Sequence, residues 1–167
     1  MGCHLLSRSA GRVEFVRCDP EELPASQLLS EMGAELNGLY ETTTRLDRPR
    51  LEPVELRPPD GAYLVGWDGE RVVAGGGFRH LADGVAELKR MYVRPSARSR
   101  GIAGELLVAL ESAAYALGYR WARLDTGPRQ VHAIRLYEGA GFVPIEPYND
   151  NPYASFWGEK ELTPPVA

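Results

Sequence analysis

A change of hydrophobic period within residues 85–117 constrains this chain more than any other feature. Val85 to Val93 reads as a strand. From Gly101 onward Leu106, Leu110, Ala113, Ala114 and Leu117 fall on one helical face, and Gly118 stops the helix. Between them lies a loop with Arg98, Ser99, Arg100 and Gly101. A basic loop that opens a helix makes an anion site. The first helical N–H groups lack intrahelical partners, and the helix dipole adds partial positive charge. Small residues at Gly101, Ala103 and Gly104 admit a diphosphate close to the backbone, and Arg98 and Arg100 add forked donors. No Gly-x-x-x-x-Gly-Lys-Ser/Thr is present, and Gly101-Ile102-Ala103 is not Gly-x-Gly-x-x-Gly. A P-loop and a dinucleotide fold are therefore set aside.

The rest of the chain fits an α/β (α+β) domain. Val13 to Arg17 reads as a strand. Asp19-Pro20-Glu21-Glu22 signals a helix start, although Pro24 blurs it, and the helix runs to about residue 41. Residues 42–60 hold four prolines, four arginines and four acids, and read as a long loop forming a site wall or an insertion. Ala62–Trp67, Val72–Phe78 and Val85–Val93 make an antiparallel meander turning at Asp68-Gly69 and Ala82-Asp83-Gly84. Gly75, Gly76 and Gly77 open no helix, so they mark a bulge or a close backbone approach. Trp121–Asp125 is a short strand, about Gln130–Glu138 a second short helix, and 142–162 two strands around a loop. That order suits a mixed, mostly antiparallel sheet of about six to seven strands with helices on both faces. The expectation is one domain over 1–167, with 1–12 a loose lead-in.

The net charge of -4 argues against a nucleic-acid binder. The longest glycine-free apolar run, Leu106 to Leu110, is too short for a membrane span. The first residues lack a secretory pattern, and Leu6 spoils a myristoylation motif. Cys3 and Cys18 are expected as separate reduced thiols of a cytoplasmic protein. His4, His80 and His132 lack metal-ligand spacing, so no metal is expected. His80 is a surface histidine or a second acid/base.

Arg98-Ser99-Arg100-Gly101-Ile102-Ala103 resembles the Gln/Arg-x-x-Gly-x-Gly/Ala motif of the GCN5-related N-acetyltransferase (GNAT) family. The strand before it resembles that family's fourth strand. Ala133 to Phe142 resembles a second signature, Ala-x-x-Leu-Tyr followed by Gly-Phe. Two motifs in order, each in its expected structural context, are far more specific than one.

The resemblance implies an N-acetyltransferase that uses acetyl-CoA as cosubstrate. Two parallel strands, 85–93 and 121–125, would splay and receive the pantetheine arm like an added strand. Main-chain groups of Met91 and Val93, with Tyr92 between, would bind it, and an N–H near Met91 would polarise the thioester carbonyl. Arg98, Ser99, Arg100, Gly101, Ile102, Ala103 and Gly104 would cradle the diphosphate. Gln130 stands where many members have a pantetheine-binding Asn, and Ala133 leaves room for the arm. Tyr137 corresponds to the family's general acid, against the alternative of an ordinary half-buried tyrosine. Glu87 corresponds to a fourth-strand glutamate that acts as general base, against a paired strand glutamate bonded to Lys89 or an arginine.

The acceptor is expected to be a small-molecule or peptide amine. Tyr40, Glu41, Tyr148, Asp150, Tyr153 and Trp157 are candidate wall residues. Nitrogen would attack directly in a ternary complex. A non-catalytic acyl-CoA sensor, or transfer of a different acyl group, are the rival readings, and a homodimer is implied by frequency in the family.

Overall fold

A computed structural model describes Cys3 and residues 11–40 and 51–166. Expectations for Glu41, for 42–50 and for most of the lead-in fall outside the described residues, as does the side chain of Tyr40. The described elements run β1 (Val13–Arg17), α1 (Ala25–Tyr40), β2 (Ala62–Asp68), β3 (Arg71–Ala82), β4 (Val85–Val93), α2 (Ile102–Ala116), β5 (Trp121–Thr126), α3 (Val131–Gly139), β6 (Val143–Pro144) and β7 (Phe156–Glu161). A one-turn 3-10 helix, Pro53–Leu56, breaks the long connection before β2.

The strands form one seven-stranded sheet in the order β1-β2-β3-β4-β5-β7-β6. Pairing is antiparallel except between β4 and β5. This is the mixed, mostly antiparallel sheet with a parallel pair that the sequence implied. β3 is longer than expected, running to Ala82, because Arg79, His80 and Ala82 go on pairing with β4 up to the turn at Asp83-Gly84. α1 begins later than expected, at Ala25. Asp19 does accept from the Glu21 N–H at 2.9 Å, but it caps a separate turn, and Pro24 delays the regular helix.

The three consecutive glycines explain how both faces of β3 are covered. Added Cβ atoms at Gly75 and Gly77 would meet the Tyr63 hydroxyl at 2.4 Å and the Ala62 carbonyl oxygen at 2.8 Å. One at Gly76 would meet Leu110 of α2 and the Met91 Cα, each at 3.2 Å. Leu28 of α1 also lies within 2.8 Å of the Gly75 position, so α1 presses on one face and α2 on the other. The larger core, under α2, buries Leu106, Leu107, Leu110, Leu88, Leu124 and Phe78. Each such side chain contributes about 1.5–3 kcal/mol. A smaller cluster of Ala25, Leu28, Leu56, Tyr63 and Val65 lies under α1.

One expectation is corrected. Cys3 and Cys18 are joined by a disulfide, with Cα atoms 5.5 Å apart. Cys18 directly follows β1 and is anchored by its N–H to the Tyr63 carbonyl at 2.9 Å.

Candidate active site

The site begins where two strands part. The β4–β5 ladder pairs Val85 with Trp121, Ala86 with Ala122 and Glu87 with Arg123, and stops there. β4 continues beside β3 to Val93, and β5 beside β7 to Thr126. Beyond Glu87 the facing backbone edges of β4 and β5 are therefore unpaired with one another, an arrangement that calls for a third partner.

A bulge in β4 sharpens the fork. Gly75 pairs with Tyr92 and Gly77 with Lys89, so Arg90 and Met91 together oppose Gly76. Arg90 takes φ 60°, and Gly76 lets Met91 lie almost on the β3 backbone. The bulge aims the Met91 side chain at α3, where the Tyr137 hydroxyl contacts its sulfur at 3.8 Å.

A cavity of about 120 Å³ opens at the fork. Lys89, Arg90 and Met91 of β4 line it, with Asp125 and Thr126 of β5 and, from α3 and its cap, Gln130 and Tyr137. Met32 and Leu36 of α1 close one side, and Asn151 and Tyr153 another. Of the expected site residues, Met91, Gln130 and Tyr137 thus line one cavity, and Tyr153 among the acceptor candidates lines it too. Tyr137 is buried and packs edge-on against Phe142, with ring centroids 6.0 Å apart. Burial, and secondarily the charge of Asp125, push its hydroxyl up to about 12. It therefore keeps its proton at neutral pH. The Gln130 amide oxygen accepts from the Thr126 hydroxyl at 3.1 Å and the Gly127 N–H at 3.2 Å, closing the turn from β5 into α3.

The basic loop lies past the far end of β4. Ser99 and Gly101 both take left-handed φ, 65° and 77°, and Gly101 caps α2. A Cβ at Gly101 would touch nothing within 4 Å, so space is open beside the cap of α2. The Glu105 N–H makes the first helical bond, to the Gly101 carbonyl at 3.2 Å. The N–H groups of Ile102, Ala103 and Gly104 precede it and so have no partner within the helix. The arginines do not reach over this turn. Arg98 donates to the Val93 carbonyl at 2.9 Å and to Glu35 of α1 at 2.6 Å, and its guanidinium lies 5.7 Å from the Tyr92 ring centre. Arg100 pairs with Asp68 at 2.9 Å. Both brace the loop against its neighbours. Ala133 sits one turn before Tyr137, packed against the core.

Glu87 is fully buried and does not line the cavity. Its cross-strand neighbour Arg79 donates Nε to Oε1 at 2.8 Å, and the Lys89 ammonium lies 3.4 Å from Oε2. Lys89 also reaches across the fork to Asp125 at 3.1 Å. The Tyr148 hydroxyl is buried beside Glu87 without reaching hydrogen-bond geometry. Burial, then the Glu87 charge, push it well above its ordinary range. Asp125 further accepts from Asn149 at 2.6 Å and Asn151 at 3.3 Å. Burial alone would raise Asp125. The Lys89 charge and the hydrogen bonds from Asn149, Lys89 and Asn151 outweigh it and hold the carboxyl below the usual range. Trp157 steadies Asn149 through its indole N–H at 2.9 Å.

Sequence reading missed Arg79, Lys89, Arg90, Asp125 and the asparagines as one group. The available signal was charge inside sheet segments that otherwise bury apolar residues. His80 pairs with Ala86 at the closed end of the fork, its Nδ1 3.4 Å from the Tyr119 hydroxyl, and is not on the cavity wall.

A family model described as the acetyltransferase (GNAT) family matches residues 25–142, well over half of the chain. The chain belongs to the GNAT acetyltransferase family. It is 33% identical over 154 residues to an IAA acetyltransferase of Azospirillum brasilense, covering 90% of this chain and 98% of that one. Among solved structures it is similar to a GNAT-family acetyltransferase from Staphylococcus aureus, with TM-score 0.75, 18% identity and 91% and 100% of the two chains covered. It is also similar to a PaiA N-acetyltransferase from Thermoplasma acidophilum in complex with coenzyme A, with TM-score 0.68, 17% identity and coverage of 90% and 99%. At those identities the two structures speak for the fold. The family and its named relatives make this GNAT chain an acyltransferase. Among the described residues no helix is long and apolar enough to cross a membrane.

Proposed function

We propose that this GNAT chain, acting as one domain, transfers an acetyl group from acetyl-CoA to the primary amine of a small-molecule or peptide acceptor, both bound at once. The observation that carries this reading is the fork: a parallel ladder that ends at Glu87 while both strands run on, with Tyr137 and a cavity in the gap.

The residues present fit the cosubstrate. The open space beside Gly101 at the cap of α2 suits a diphosphate on the N–H groups of residues 102–104. Arg98, Ser99 and Arg100 set the shape of that loop. The edge of β4 from Met91 to Val93, where Arg98 already holds the Val93 carbonyl, suits the pantetheine amides, with Gln130 and Ala133 on the other side of the arm. Acetyl-CoA supplies the activated acyl thioester. A backbone N–H near Met91, re-aimed by the bulge, polarises its carbonyl. Tyr137, protonated at working pH, gives its proton to the departing thiolate. Glu87, buried and not on the cavity lining, takes the ammonium proton as general base by way of water. Holding both partners at the fork converts a bimolecular attack into an intramolecular one.

The availability of acetyl-CoA supports a cytoplasmic location, and the Cys3–Cys18 disulfide, a linkage rare in reducing compartments, weighs against it. Light scattering tests the homodimer that the family implies. The central test is thiol release from acetyl-CoA over a panel of amines. Amine-dependent release is expected. Tight CoA binding with no release from any amine would favour a sensor, and faster release from propionyl- or succinyl-CoA would change the acyl group.

A further inference from the structure

The cavity at the fork takes its walls from both faces of the sheet. Paired residues of neighbouring strands point to the same face, and successive residues alternate. Gly77 faces Leu56 and Tyr63 of the cluster under α1 and pairs with Lys89, so Lys89 points to the α1 face. Leu124 belongs to the core under α2, so Asp125 beside it points to the α1 face as well. Met91 and Tyr137 line the cavity from the other face, where Leu136 of α3 lies 3.8 Å from the Cβ position of Gly104 in α2.

One carboxylate joins three segments on the α1 face. Asp125 takes the Lys89 ammonium on Oδ1 at 3.1 Å, and the side-chain amides of Asn149 and Asn151 on Oδ2 at 2.6 and 3.3 Å. The β4–β5 ladder has ended at Glu87 and Arg123, so the Lys89–Asp125 pair crosses the fork where backbone pairing does not. Residues 145–155 form no helix or strand. Their main chain is tied at its ends, from the Ile145 N–H to the Trp157 carbonyl and from the Ser155 N–H to the Thr126 carbonyl, each at 2.9 Å. Between those ends the asparagines carry the order inward: Asn149 Oδ1 accepts the Trp157 indole N–H at 2.9 Å, and Asn151 Oδ1 accepts the Tyr153 N–H at 3.1 Å. Asn151 and Tyr153 then line the cavity beside Asp125.

Coenzyme A held at the cap of α2 and passing Gln130 and Tyr137 delivers its thioester from the α2–α3 face, which leaves the α1 face to the acceptor. We propose that Asp125 is a positioning residue for that acceptor: by holding Asn149 and Asn151 it sets residues 149–153 as the acceptor wall across the fork from Lys89. This rests on the acetyltransferase reading above, and it names the residue through which acceptor affinity is set apart from affinity for acetyl-CoA.

The test uses Asp125→Asn and the reciprocal double variant Asp125→Asn/Asn149→Asp. An amide at position 125 turns its NH2 group either to Lys89 or to the two asparagines, so in the single variant one donor meets another. In the double variant the amide oxygen serves Lys89, and the NH2 group donates to the carboxylate now at position 149. Spermidine, phenethylamine, leucine and trialanine are offered with acetyl-CoA, and the fastest serves as acceptor. In Asp125→Asn the acceptor KM should rise about tenfold or more, with a smaller fall in kcat and CoA affinity by calorimetry within about twofold of wild type. Hydrogen exchange should quicken in residues 149–155 and hold in α2. The double variant should recover most of the KM. Asn149→Ala, which spares the Lys89–Asp125 pair, should raise KM in the same sense, and it decides the matter if Asp125→Asn does not fold. An unchanged acceptor KM, or a KM that rises together with loss of CoA affinity, overturns this inference and leaves the acetyltransferase reading intact. Exchange that quickens across the whole sheet makes Asp125 a residue of general stability and overturns it too. No thiol release by the wild-type protein from these acceptors or any amine of the wider panel overturns the reading beneath, and this inference with it.

Discussion

The two ends of strand β4 do different work with the same backbone. From Val85 to Glu87 the strand is paired on both sides, and its charged side chain, Glu87, is buried and held by Arg79 and Lys89. From Lys89 to Val93 it is paired on one side, bulged at Arg90, and borders a cavity. The closed end supplies rigidity; the open end supplies unpaired backbone. The closed end can hold an ionic cluster because each charge there has a partner. The open end is available because the ladder stops.

The largest expected effect falls at the closed end. Glu87→Ala removes the buried carboxylate that Arg79 and Lys89 share, leaving them only Glu55 and Asp125, and should cost about 3–5 kcal/mol of stability by urea unfolding. A change below 1 kcal/mol would mean that the cluster does not hold the fork. Next comes the loop that the open end feeds. Gly101→Asp forces a side chain into φ 77° and adds negative charge at the first turn of α2, so CoA affinity by calorimetry should fall about 100-fold, while the strain lowers the melting temperature by only a few degrees. Unchanged affinity would detach the open end from CoA binding.

These two residues differ in how readable they were. Gly101 sits inside a local pattern, strand then basic loop then helix, and local patterns set caps and turns directly. Tyr137 was picked out only through the family resemblance, on the motif that runs into Gly141-Phe142. The cluster was not, because Arg79, Lys89, Asp125 and Asn149 come from four segments, and only the sheet order brings them together. Glu87 shows the boundary. Its strand position was legible, but its burial and its Arg79 partner depend on cross-strand register. The arginines of the loop show a second limit: sequence gave their charge, and the fold turned Arg98 to Glu35 and Arg100 to Asp68.

Smaller effects sharpen the comparison. Tyr137→Phe should lower kcat about 10- to 100-fold while CoA affinity holds, because a proton donor is lost and no backbone contact changes. Equal turnover would remove the acid role. The same tyrosine gives a pH signature. An unfolded tyrosine ionises near 10, and Tyr137 in the fold near about 12, so its share of stability is complete below pH 10 and is lost as the pH rises toward 12. Urea midpoints should therefore fall between pH 10 and 12, and less steeply in Tyr137→Phe. A slope identical in the two proteins would contradict the burial argument. The smallest effect belongs to Arg100→Gln. Its ion pair with Asp68 is exposed, so stability should move by no more than about 0.5–1 kcal/mol. CoA affinity should fall less than in Gly101→Asp; an equal fall would give the guanidinium, rather than the helix amides, the main part in binding.

A crystal structure of this chain with coenzyme A tests the central claim most directly. The account predicts diphosphate oxygens within hydrogen-bond distance of the amides of residues 102–104, and a pantetheine arm lying between β4 and β5 past Met91. A bound coenzyme lodged in another crevice, with the first turn of α2 bare, would contradict it.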